Sequence, residues 1–266
     1  MQDKFSDELA MARRVQQALL SLPTPLLPGV RIAKRCIPAE SVGGDFYVLT
    51  GNGQVSGLVP SSHIPGVVQY ADQRQSRLDI VIGDVAGHGV SSALVMALSA
   101  GLIGEIGKTA KSTAQALQLL NSSLYSYINN SQIPYVTAFY SRYYPATRRL
   151  EWSRGGHPPA LLLRGNGITE LESQGLFLGM FDAEHYEQGD SVLLPGDRVI
   201  FYTDGITETR DGDGNEFGLD QLIALLIQTC LYSVEQQLDT VYQKLSQFEG
   251  HRSPRDDRTI VLLAVE

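Results

Sequence analysis

Hydrophobic and polar positions change period along this chain, and each change marks an element. In residues 5–20 the apolar positions fall three or four apart, at Phe5, Leu9, Ala12, Val15 or Gln16, and Leu19, which predicts a helix. Ser6 precedes Asp7 and Glu8 as its expected cap, and Pro23, Pro25 and Pro28 end it. Such a helix either packs on its own domain or serves as a linker or dimer helix. Strand-like runs follow at 30–37 and 45–49, and residues 51–76, rich in Gly, Ser, Gln and Pro, predict an exposed loop or a loose hairpin. The run 78–83 predicts a buried strand that delivers Asp84 at its end, and Gly87 and Gly89 turn the chain into a helix over 90–106. A second helix is expected over 113–128.

The centre is strand-rich. Residues 135–144 and 149–153 predict a hairpin turning at Pro145-Ala146-Thr147, with further strands at 160–163, 168–171, 191–194 and 198–202. Helices at 219–230 and 234–248 precede a last strand at 259–265. Strands in runs, flanked by helix pairs and without regular βαβ alternation, imply an α+β fold with antiparallel sheets.

Composition narrows the function. The chain has 266 residues, is 43% hydrophobic and carries a net charge of −8, so a basic nucleic-acid surface is not expected. Cys36 and Cys230, the two cysteines, form no zinc pattern and no disulfide scaffold. No apolar h-region follows Met1, and no stretch reaches about 18 uninterrupted apolar residues; 90–106 comes nearest, broken by Ser91, Ser92, Ser99 and Glu105. These features lead to the expectation of a cytoplasmic protein with no membrane partner.

Four acidic stretches carry the chemistry: Gly43-Gly44-Asp45-Phe46, Gly83-Asp84-Val85-Ala86-Gly87-His88-Gly89, Tyr202-Thr203-Asp204-Gly205 and Asp256-Asp257-Arg258-Thr259. Carboxylates gathered by folding repel one another, and hard divalent cations, which prefer oxygen ligands, offset that repulsion. Each acid also has an ordinary reading: Asp84 as a cap of the helix near Val90, Asp204-Gly205 as a turn, Asp45 and the Asp256–Asp257 pair as solvated acids. His157, in Gly155-Gly156-His157-Pro158-Pro159, either enters a cleft or makes a structural hydrogen bond.

Other patterns carry no chemistry. Asp211-Gly212-Asp213-Gly214-Asn215 begins like a calcium loop, but Glu216 and Leu222 stand where such a loop needs Gly and Glu, so a surface turn is expected. Gly51-Asn52-Gly53 and Gly165-Asn166-Gly167 lead into no phosphate-binding Lys-Ser/Thr, and Ser91 and Ser92 sit in no Gly-x-Ser-x-Gly elbow.

Taken together, the acidic stretches, the segments 12–20, 38–47, 82–90 and 155–159, and Pro195-Gly196-Asp197 resemble the metal-dependent serine/threonine protein phosphatases of the type 2C (PPM) superfamily, in the bacterial SpoIIE/RsbU branch. The resemblance runs from about Ala12 to Val265. It implies an αββα sandwich, two central antiparallel sheets with helix pairs outside, and divides the chain into an N-terminal helical linker or regulatory segment (1–22) and a PPM-type domain (23–266). It also implies two Mn²⁺ or Mg²⁺ ions held by Asp45, Asp84, the Val85 backbone carbonyl, Asp204 and Asp256, with Asp257 supporting them from behind.

The reaction so implied is phosphoserine or phosphothreonine hydrolysis by an activated water, with no phosphoenzyme. The implied substrate is a phosphorylated anti-sigma-factor antagonist of the STAS type or a similar partner-switching protein. Relatives in eukaryotes carry a histidine at the position of Ala86 as the proposed general acid; here that donor is not identified, and a metal-bound water or His88, two residues further on, is the candidate. A phosphatase-fold sensor or scaffold without efficient turnover is the alternative, and a nuclease is disfavoured by the acidic charge. The N-terminal helix is a candidate homodimer contact.

Overall fold

The strands that read as unbroken apolar runs are buried on both faces. A computed structural model of the protein describes residues 2–51, 76–129, 133–250 and 252–266. Two five-stranded antiparallel sheets lie face to face. One runs β1 (Val30–Ile37), β10 (Arg258–Val265), β9 (Arg198–Tyr202), β6 (Ala160–Arg164) and β7 (Gly167–Leu171) in spatial order. The other runs β2 (Phe46–Gly51), β3 (Leu78–Val85), β4 (Val136–Tyr144), β5 (Arg149–Gly155) and β8 (Gly189–Val192).

Alternation across the pleat sorts the side chains into three apolar layers. Leu78, Ile80, Ile82 and Phe139 meet Val199, Phe201, Val261 and Leu263 between the sheets. Val81, Phe46 and Val136 face outward against α2 (Gly89–Thr109) and α3 (Thr113–Ile128). Ile200, Ile260 and Leu262 face α5 (Gly218–Gln228) and α6 (Val234–Phe248). The result is the αββα sandwich expected for the chain. On the outer face of β3, Asp79 accepts from Arg142 Nε (2.8 Å) and Tyr140 Oη (2.7 Å). Arg142 also donates to the Gly107 and Ala110 carbonyls, satisfying the end of α2.

Several expectations shift. The N-terminal helix α1 (Gln2–Leu20) begins before Ser6, which therefore lies inside it and is not its cap. By length and composition α2 reaches what a membrane span needs, with mean hydropathy 1.6, so the expectation that no stretch does is corrected; the helix packs on β2, β3 and α3 as a layer of the sandwich. The strand expected at 191–194 is β8, placed earlier, because Gly189 lies against Trp152, where a Cβ would come within 2.5 Å of the ring. Asp204 opens a one-turn helix, α4 (Asp204–Thr207), rather than a simple turn. The predicted loop at 51–76 falls, apart from its two end residues, outside the described residues.

Candidate active site

Four strand ends meet at one end of the sandwich, and each brings an acid. Asp84 is the next-to-last residue of β3, opposite Thr137 of β4. Beyond it the chain turns at Gly87 (φ 103°) and Gly89 (φ 77°), left-handed backbone that glycine adopts without strain. The cap of α2 is His88, so Asp84 is not engaged there. Asp45 immediately precedes β2, Asp204 follows β9 across Thr203, and Asp256 and Asp257 precede β10.

Asp45 is buried, and its Oδ2 accepts two hydroxyl hydrogen bonds of 2.7 Å, from Thr203 and from Thr259. Thr203 Oγ1 in turn accepts from the Thr259 backbone N–H at 3.0 Å. The two threonines tie the ends of β9 and β10 to Asp45 through Oδ2, leaving Oδ1 outside these two hydrogen bonds. Asp257 faces the other way: its carboxylate accepts from the backbone N–H groups of Ala39 (2.8 Å), Gly44 (2.6 Å) and Asp45 (3.3 Å). It thereby fixes the loop that presents Asp45. Gln16 of α1 grips the same loop from outside, donating to the Gly43 carbonyl (2.7 Å) and accepting from the Gly43 N–H (3.1 Å).

Glycines make room for this convergence. A Cβ on Gly44 would stand 2.8 Å from the Val85 carbonyl and 3.2 Å from Asp84 Oδ1, and one on Gly43 would stand 2.1 Å from Asp257 Oδ2. The Val85 carbonyl and the Asp84 carboxylate thus face the Asp45 loop across a gap that no side chain fills.

The acids feel one another. Burial, then the charge of Asp84, then that of Asp257 push the Asp45 carboxyl well above the usual range, against the pull of the Thr259 and Thr203 hydroxyls. Asp84 is pushed up to about 7, by burial first and then by Asp204, Asp256 and Asp257. Burial also raises Asp204 and Asp256. Among the described residues no three His, Cys, Asp or Glu side chains close tightly enough to cage an ion by themselves. One oxygen of Asp45 is already engaged by Thr203 and Thr259. An open, all-oxygen, carboxylate-rich set with a Cβ-free gap fits hard divalent cations whose remaining positions are taken by water. Asp45, Asp84, Asp204, Asp256 and the Val85 carbonyl are the groups that could hold them.

This electrostatic state has a measurable consequence. The folded, metal-free chain keeps protons on Asp45 and Asp84 at pH values where unfolded aspartates have lost theirs. The native state therefore binds more protons between about pH 4 and 7, and its stability falls as pH rises through that window. In the metal-free protein, thermal unfolding should occur at a higher temperature at about pH 5.5 than at about pH 7.5. Mn²⁺ at a hundredfold excess over its Kd should restore about 2.7 kcal/mol at the higher pH. Equal stability at both pH values would count against the cluster.

The two histidines separate. His88 is exposed, its Nδ1 3.7 Å from Glu40 Oε1. His157 is buried, its Nδ1 2.8 Å from Thr137 Oγ1, and it stands in the wall of the same cleft as Asp84 and Asp204; burial pushes its pKa down to about 3. A cleft of about 410 Å³ opens beside the acids, lined by Asp84, Ala86, Tyr135, Thr137, Phe177 and Asp204 among others. Tyr135 and Phe177 stack 4.2 Å apart in its wall. The Asp211 loop is a turn closed on itself, Asp211 Oδ1 accepting from the Asp213 and Asn215 N–H groups, both at 2.9 Å.

Thr203, Thr259 and Gln16 were not among the expected site residues. Both threonines stand inside the acidic stretches, and buried hydroxyls beside strand-end acids are the signal that could have marked them.

Known proteins match this chain and its fold. The family model for Stage II sporulation protein E (SpoIIE) matches residues 74–266. "Phosphoserine phosphatase RsbU" of Bacillus subtilis (strain 168) is 26% identical over 268 residues, covering 99% of this chain and 71% of that protein. "Protein IcfG" of a Synechocystis species is 28% identical over 267 residues, and the chain spans 38% of its length. Among solved structures, the SiaA-PP2C domain of Pseudomonas aeruginosa superimposes with a TM-score of 0.79 at 22% identity, covering 100% of this chain and 98% of that one. The phosphatase domain of SpoIIE from Bacillus subtilis, with a fragment of its regulatory domain, gives 0.70 at 16% identity, covering 89% of this chain and 63% of that one.

Proposed function

The chain belongs to the SpoIIE family, within the PPM protein phosphatases, and from that premise we propose that its acidic centre hydrolyses phosphoserine or phosphothreonine in a protein with the help of bound Mn²⁺ or Mg²⁺. The observation that carries this reading is the convergence of Asp45, Asp84, Asp204 and Asp256 on a gap kept open by Gly43 and Gly44.

Asp45, Asp84, the Val85 carbonyl, Asp204 and Asp256 would hold two divalent ions, which when bound supply a water acidic enough to attack at neutral pH and positive charge for the phosphoryl oxygens. The chain's own residues do the positioning. Thr203 and Thr259 fix one Asp45 oxygen and so aim the other, and Asp257 holds the loop through three backbone N–H groups. The cleft admits the phosphorylated side chain past Tyr135 and Phe177. Ala86 lines the cleft and offers no acidic proton, so the departing serine oxygen takes its proton from water in this open space or from the exposed His88.

The substrate we infer from the family resemblance is a phosphorylated STAS-type antagonist or a similar partner-switching protein, and the setting we infer is the bacterial cytoplasm. The test is release of phosphate from such a phosphoprotein with Mn²⁺, with Mg²⁺ and with chelator. Turnover only with metal is expected, and metal binding without turnover would favour the scaffold alternative. Met11, Val15 and Leu19 leave an apolar stripe of α1 exposed, which supports pairing of two copies through residues 1–22. A mass that stays dimeric after removal of those residues would overturn that pairing.

A further inference from the structure

We propose that Arg252 and Arg255, on the segment leading into β10, form a docking site for acidic side chains that flank the phosphorylated residue of the substrate. The inference rests on the phosphatase reading and extends it to what the substrate looks like around the phosphate.

The chain carries eight more negative than positive charges, yet four arginines line one recess beside the catalytic end of the sandwich. Its wall includes Gly205, the neighbour of Asp204, together with Glu208, Arg210, Arg252, Arg255 and Arg258. Two of the four are engaged. Arg258 is buried and forms an ion pair with Glu249, and Arg210 Nη2 lies 2.6 Å from Glu216 Oε1. Arg252 and Arg255 are exposed, and among the described residues neither makes a hydrogen bond or an ion pair. Glu208 is the acid in the recess without an ion pair among the described residues, so positive charge is in excess there.

A purely structural role does not account for the pair. The guanidinium that pulls the Asp256 carboxyl down is that of Arg258. Pro254 separates the two arginines and stiffens the segment that carries them. The recess is small, about 30 Å³, so a side-chain head meets the two exposed arginines at its mouth and a folded segment does not enter. A guanidinium fork matches a carboxylate in geometry and charge. Placed beside a centre crowded with aspartates, such a pair draws in an anionic substrate that the acids would otherwise repel.

The test uses the full chain loaded with Mn²⁺ and two peptides of equal length. Each carries a phosphonate analogue of phosphoserine that cannot be hydrolysed, one flanked by Asp and Glu and the other by Lys. Fluorescence anisotropy reads the ratio of the two affinities. The native chain should prefer the acidic peptide by about tenfold at low salt, with the preference shrinking as salt rises. Arg252→Glu combined with Arg255→Glu should reverse the preference, and the Lys replacements should retain most of it. A ratio unchanged by charge reversal, or a native preference for the basic peptide, would overturn the proposal. Turnover of the matching phosphoserine peptides is measured separately. Failure of turnover with the binding preference intact refutes the phosphatase reading alone, and turnover without the preference refutes the docking site alone.

Discussion

Asp84→Asn should lower metal-dependent phosphoserine hydrolysis by about a thousandfold, the loss of about 4 kcal/mol of transition-state stabilisation. Asn keeps the shape of the side chain and removes the charge that Asp204, Asp256 and Asp257 oppose. Above about pH 7, where Asp84 loses its own proton, the same substitution should therefore raise the melting temperature of the metal-free protein while abolishing its stabilisation by Mn²⁺. Opposite signs for activity and metal-free stability distinguish a functional acid from a structural one, whose loss would lower both. A variant with the native rate, or one less stable without metal, would refute the role given to Asp84.

The second large effect is expected at Gly205. A Cβ there would lie 2.0 Å from the Asp257 backbone carbonyl and 3.3 Å from the Asp256 Cβ. The carbonyl belongs to the main chain just before β10 and has no rotamer through which to yield. Gly205→Ala should push α4 and its Asp204 away from Asp256 and loosen Asp257 from the Asp45 loop. The expected cost is about 1–3 kcal/mol of stability, as for other overpacked sites, with activity lowered at least about a hundredfold. Denaturant unfolding alongside a phosphatase assay checks both. Native stability with native activity would show that the contact between α4 and the β10 approach is not required.

Much of this architecture was legible because burial on both faces leaves unbroken apolar runs, as in β3 and β10, and because strand ends carried the acids. The glycines of the first three acidic stretches were legible as well, since close backbone approach needs them. What was not legible depends on contacts between distant residues. Thr203 and Thr259 meet Asp45 across 158 and 214 positions of the chain, and no local period foretells that meeting. Gln16 reads as one face of an amphipathic helix, and its double hydrogen bond to Gly43 emerges only when α1 docks. The start of α1 was displaced for a local reason, and the place of β8 by a contact across the sheet. Intrinsic helix propensity carries α1 past Ser6, and Trp152 selects a glycine as its partner across the strands.

In the sheet that contains it, β10 lies between β1 and β9, paired with residues from both ends of the fold. During synthesis, then, β1 waits for a partner until almost the entire described chain has left the ribosome, and β9 is bound on one side only. Asp256, Asp257 and Thr259 arrive with that same segment. Sheet closure and completion of the acidic centre are therefore one event, and a polypeptide that has not yet extended through β10 lacks both.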